Sequence, residues 1–99
     1  MAQGILGSAD LPAAIDIMLF TVGATQTFNV RFANRTGTPA KVRVCIGSGD
    51  VPALKDWVTP DVTCLGNGIV EDTGLVCSSG EKVWVRADAA GVSVRAHGL

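Results

Sequence analysis

The chain has 99 residues, of which 47% are hydrophobic and 17% charged, with a formal net charge of −1. That is one domain, and a domain this small buries only about two thirds of its unfolded surface. A near-neutral charge excludes the cation-rich contacts that nucleic acid or a polybasic membrane patch needs.

Tyr is absent and Gly numbers 12, so the core is expected from Val, Ile, Leu and Ala, and tight turns are expected between short elements. Low charge beside high apolar content gives little repulsion between neighbours, so part of the apolar surface is expected to lie under a partner. Met1 to Leu6 has no positively charged n-region, and no apolar run is long enough to span a bilayer. Cys45, Cys64 and Cys77 are odd in number and widely spaced, which suggests free thiols made in a reducing cytoplasm.

Residues 1–12 read as an N-terminal arm, because Gly4, Gly7 and Pro12 forbid a regular helix. Ile5, Leu6 and Leu11 are apolar, unlike a free tail, so the arm is expected to lie against something. Either it grips a partner, in which case residues 1–10 can be removed without harm to the fold, or it packs on its own domain as a β-edge. The remaining residues, 13–99, read as one β-domain. A single helical turn is the expectation for Pro12 to Asp16, followed by a strand over Ile17 to Val22.

Thr27 to Ala33 alternates, with Phe28, Val30 and Phe32 on one face. Ala40 to Ile46 alternates again, with Ala40, Val42, Val44 and Ile46 opposite Lys41, Arg43 and Cys45. These two runs and the loop Asn34 to Pro39 read as a hairpin. Between Pro52 and Leu65 only Trp57-Val58 reads as strand. Gly66-Asn67-Gly68 is a turn, and three strands follow, centred on Ile69 to Val76, Lys82 to Ala87 and Val92 to His97. Seven or eight short strands with no helical period predict an all-β fold, a small antiparallel β-sandwich of jelly-roll-like or immunoglobulin-like kind.

No catalytic, cofactor or metal set emerges. The only His is His97, and nothing in the sequence sets a nucleophile beside it. The cysteines lack the short spacing of zinc ligands. Glu71 and Asp72 point to opposite faces of a strand and are no acid–base pair. The Gly-rich turns are followed by no helix, so they are no phosphate cradle. Asn34-Arg35-Thr36 fits a glycosylation acceptor and reads as chance without a secretory signal. Trp84 falls on the same face as Lys82 and Arg86. It is therefore on a doubly buried strand, under a loop, or an exposed anchor for a partner, and Trp57 carries the same alternatives.

Three segments resemble small virion structural proteins of tailed bacteriophages. They are Gly4-Ile5-Leu6-Gly7-Ser8-Ala9-Asp10-Leu11, then Trp57-Val58 with Gly68 to Val76, then Ser79 to Ala87 with Ala89 to Gly98. The resemblance implies a non-enzymatic particle component made in the host cytoplasm and carried on the virion. It would dock in many copies on other virion proteins, as capsid cement or decoration, or as a tail, neck or baseplate accessory. It would be a homo-oligomer, with a trimer as the working expectation. The partner-binding residues expected are Ile5, Leu6, Leu11, Trp57 and Trp84. The alternative from another class is a carbohydrate or host-surface binding module built on an exposed Trp57 or Trp84.

Overall fold

The structure is a computed structural model and describes residues 4–98; residues 1–3 of the expected arm and residue 99 lie outside the described part. Eight strands follow one another as β1 (Gly4–Leu11), β2 (Ile17–Thr21), β3 (Gln26–Asn34), β4 (Ala40–Gly47), β5 (Trp57–Cys64), β6 (Ile69–Cys77), β7 (Lys82–Ala87) and β8 (Val92–Gly98). A 3₁₀ turn, Leu54–Asp56, precedes β5. One sheet, sheet A, has the order β1-β8-β3-β6, and the other, sheet B, has the order β2-β7-β4-β5. All strand pairs within them are antiparallel.

The first strand pairs with the last, the second with the seventh, the third with the sixth and the fourth with the fifth. That is one long hairpin rolled up so that successive pairs fall in alternate sheets. The result is the jelly-roll connectivity of a β-sandwich. It resolves the two sandwich kinds that the strand pattern left open.

Alternation decides which side chains fill the gap. Phe28, Val30 and Phe32 of β3 and Val92, Val94 and Ala96 of β8 point inward from sheet A. Val42 and Val44 of β4 meet them from sheet B, with Val83, Val85 and Ala87 of β7. Phe20 of β2 touches Phe28 edge to face, with ring centroids 5.1 Å apart, and so ties the two sheets together.

The pairs β3–β8 and β4–β7, at the centre of the sheets, keep an unbroken register. Every pair that involves an edge strand is bulged, and each time the extra residue is on the edge strand. It is Leu6 in β1, Leu19 in β2, Val58 and the Pro60-Asp61 step in β5, and the Thr73-Gly74 step in β6. Bulges twist an edge and blunt it against pairing with another chain. At Gly74 φ is +68°, a conformation that suits glycine, and its N–H donates to Asn29 Oδ1 at 2.9 Å.

Two expectations are corrected and one pair of alternatives is narrowed. First, β3 and β4 do not form a hairpin; they lie in different sheets, face to face. Each has an apolar inward face that only the opposite sheet can cover. The corner is built by Asn34, which is buried. Its amide donates to the carbonyls of Thr38 (2.8 Å) and Cys64 (3.2 Å), and its Oδ1 accepts from the Thr36 N–H and hydroxyl. A side chain so engaged also leaves no room for a glycan.

Second, the described part of the arm follows the β-edge alternative: it is strand β1, laddered to β8. Leu11 is 2% exposed in the core, and Leu6 packs against that core. Gly7 lets β1 close on β2, since a Cβ there would run into the Leu19 backbone. Deleting residues 1–10 therefore removes most of an edge strand. Third, Pro12 to Asp16 makes no helical turn. Ala14 takes a positive φ of 57° and donates its N–H to the Ala87 carbonyl at 2.8 Å.

The edge-strand role of β1 separates two substitutions. Leu11→Ala is expected to cost about 2–5 kcal/mol in urea unfolding, whereas Ile5→Ala, at a 57% exposed position, stays within about 0.5 kcal/mol. Equal small losses at both sites would mean that β1 is dispensable.

Candidate functional site

The residues singled out in the sequence separate onto different surfaces. Ile5 is exposed at the start of β1, while Leu6 and Leu11 face inward. Their apolar area is largely used inside the domain and not offered to a partner. Trp57 and Trp84 both lie on the outer face of sheet B and both are half-buried. They share one cross-strand row, which runs Met18 (β2), Trp84 (β7), Cys45 (β4), Trp57 (β5). One strand separates the two indoles, so their backbones are about 10 Å apart.

Arg43 stands beside this row, opposite Arg86 on the neighbouring strand. Its guanidinium carbon is 5.4 Å from the Trp57 ring centroid, within cation–π reach. It also grips Asp61 with two hydrogen bonds, Nε to Oδ1 and Nη2 to Oδ2. The arrangement is a shallow cup of about 250 Å³ lined by Arg43, Leu54, Trp57, Pro60 and Asp61. The hydrogen bond from Arg43, helped by its charge and those of Lys41 and Arg86, holds the Asp61 carboxyl below the usual aspartate range. Arg86 is matched by Asp16, 3.7 Å away. Each arginine on this face therefore has its own aspartate.

Cys45 belongs to the polar face by alternation, yet it is fully buried. The segment that leads into β5 covers it. Burial raises its thiol pKa, the nearby Asp56 and Asp16 charges add to this, and a hydrogen bond with the Ala53 backbone works against it. Cys77 is pushed up in the same way, by burial first and then by Glu81. All three cysteines are unoxidised and buried. His97 lies on β8 between Ile5 of β1 and Asn29 of β3, so its cross-strand neighbours carry neither a nucleophile nor an acid. Among the described residues no group of three His, Cys, Asp or Glu converges on a point where a metal would sit.

The outer face of sheet A holds a hollow of about 490 Å³ along β1, β8 and β3. Two rows cross it. One runs Ser8, Arg95, Arg31, Glu71; the next runs Asp10, Ser93, Ala33, Ile69. Small Ala33 and Ser93 between larger neighbours make the depression. Sequence reading did not single out Arg31 or Arg95. Alternation alone gives the signal that both point outward, but their adjacency needs the register of strands far apart in the chain.

No known family model, curated protein or solved structure matches the chain.

Two outcomes follow from this chemistry. Because Asp61 has its pKa lowered by folding, the Arg43 clamp contributes fully above the ordinary value of about 3.9. Its contribution is lost as pH falls through the lower folded value. In a Trp84→Phe background, Trp57 fluorescence is expected to change in acid with a midpoint below about 3.9, and Asp61→Asn should abolish the step. A midpoint at or above the free-aspartate value would contradict the clamp. Separately, a thiol reagent such as DTNB is expected to leave native protein almost unlabelled and to titrate three thiols in urea; fast labelling of the native protein would mean that the segment over Cys45 opens freely.

Proposed function

We propose that this chain is a non-enzymatic structural protein of a tailed-phage particle that docks in many copies on the particle exterior, as a capsid cement or decoration protein. A tail, neck or baseplate position is the alternative for the same kind of surface. The jelly-roll sandwich suits the role, since viral coat domains are among its users, but a fold by itself does not carry a function.

The observation that carries the proposal is an apolar side. Edge strands β5 and β6 end the two sheets on one flank of the sandwich, linked by the Thr59 hydroxyl donating to Asp72 at 2.5 Å. Leu54, Val58, Val62, Leu65, Ile69 and Val76 are all exposed on these strands and their flanking turns. Leu54 is 93% exposed and Leu65 66%. Exposed apolar side chains gathered along two neighbouring edge strands support an interaction surface there. Each such side chain that is fully covered contributes about 1.5–3 kcal/mol before association costs. Repetition over a symmetric lattice then multiplies a modest contact into firm attachment.

Light scattering on the purified chain is expected to show a closed oligomer at micromolar concentration. A Leu65→Lys/Ile69→Lys double variant is expected to be monomeric, with its thermal unfolding little changed. Immunogold labelling of particles from a lysate that contains the chain should decorate the exterior in many copies. A wild-type chain that stays monomeric at high concentration, together with bare particles, would overturn the proposal.

A further inference from the structure

Sheet B neutralises each arginine on its outer face, and sheet A does not. Among the described residues Arg35 pairs with Asp10, Arg43 with Asp61, Arg86 with Asp16 at 3.7 Å and Arg31 with Glu71 at the limiting 4.0 Å. Arg95 alone has no acidic partner there. It stands directly opposite Arg31 in the β3–β8 ladder. Directly opposed residues of an antiparallel pair have Cα atoms about 4.5–5.5 Å apart, and like charges placed so destabilise a sheet. One positive charge is left over, in the hollow on the outer face of sheet A.

The lining of that hollow narrows the ligand. Ser8 and Ser93 have hydroxyls that make no hydrogen bond to another described residue. Asp10 lies two residues along β1 from Ser8, hence about 6.8 Å away, with Arg35 on its carboxylate. Guanidinium donors thus sit at one end, hydroxyls in the middle and a carboxylate acceptor at the other end, over about the width of one pyranose ring. The volume of about 490 Å³ is that of a small-ligand site.

We propose that this hollow binds a carboxylate-bearing sugar unit, such as a hexuronate within an acidic polysaccharide. Arg95 and Arg31 take the sugar carboxylate, Ser8 and Ser93 bond ring hydroxyls, and Asp10 accepts a hydroxyl at the far edge. Two adjacent guanidiniums form a fork for a planar carboxylate. A single surplus positive charge matches a single acid. Asp10 disfavours a second acid at the far end, so a run of Asp or Glu side chains fits less well than a unit with one acid and several hydroxyls. The site stands independently of the particle proposal.

The test is an amide-resolved NMR titration of the whole chain at low salt with trigalacturonate, maltotriose, triglutamate and inorganic phosphate. Trigalacturonate is expected to shift the Ser8, Ser93 and Arg95 amides saturably, and maltotriose to leave them unmoved. Arg95→Gln should weaken binding about tenfold or more, and Arg95→Lys less, as expected for loss of a bidentate contact. Both variants should unfold at the wild-type temperature; if Arg95→Gln unfolds early, the Arg95→Lys effect and the wild-type shift map decide. Equal binding of triglutamate or phosphate would reduce the hollow to a bare anion patch and overturn the proposal. Equal binding of maltotriose would remove the role of the arginines. No saturable shift with trigalacturonate up to about 10 mM, a very weak affinity, would also overturn it.

Discussion

Everything in this molecule hangs on four central strands meeting face to face. β3 and β8 of one sheet and β4 and β7 of the other supply most of the buried set, from Phe28, Val30 and Phe32 to Val83, Val85 and Ala87, and each edge strand adds one apolar side chain: Leu11, Phe20, Cys64 and Cys77. Among the described residues there is no α-helix to cover either sheet and no disulfide to tie them. Cohesion is therefore apolar burial between two layers, each useless without the other. The rolled connectivity makes this an all-or-none affair. β8 follows the other seven strands in sequence, yet it lies between β1 and β3 and pairs with both. Sheet A cannot close until β8 is in place, and long loops must close before the contacts that reward them form.

Regular centre and irregular rim follow from the same constraint. Inward side chains must interlock at the centre, so register there has no slack, because a one-residue slip would turn every valine outward. At the rim a strand has one neighbour and fewer side chains to match. An extra residue is tolerated, and the bulge it makes turns the edge away from foreign strands. Pro60 in β5 adds to this, since proline withholds a ladder donor. The apolar side chains of β5 and β6 thus stand on an edge ill-suited to open-ended strand pairing. That favours side-chain docking on a shaped partner over sheet extension.

How much of this was legible in the sequence depends on locality. Alternation found β3, β4, β7 and β8, because those strands are unbulged and half-buried, where a period of two survives. It failed on β1 and on most of β5, where bulges at Leu6, Val58 and Pro60-Asp61 shift the phase partway along the strand. Pairing was less legible than strand content. Asn34 to Pro39 has the composition of a hairpin turn, but the buried Asn34 amide spends its hydrogen bonds on Thr38 and Cys64 and turns the chain toward the other sheet. The outer-face rows were out of reach altogether. Trp57 and Trp84 fall in one row only because Cys45 lies between them, and Arg31 meets Arg95 only through the β3–β8 register.

The two proposed surfaces do not compete for space, and the topology says why. The apolar flank belongs to β5 and β6, which end sheets B and A on one side. The hollow is centred on β8, with β1 as one wall and β3 as the other; no β6 side chain lines it, and β6 borders it through Glu71 on Arg31 and Ile69 beside Ala33. A partner seated along the β5–β6 edge would cover Leu65 and Ile69 and leave Ser8, Ser93 and Arg95 open to solvent. It would also tighten the one acid contact that now holds Arg31 loosely, because removing water around Glu71 strengthens its attraction to that guanidinium. Arg31 would then turn toward Glu71 and away from a sugar carboxylate. If the flank docks a partner and the hollow binds a sugar, the two surfaces would be spatially separate yet coupled in sign through Arg31, with attachment at the flank weakening the hollow and leaving more of the work to Arg95.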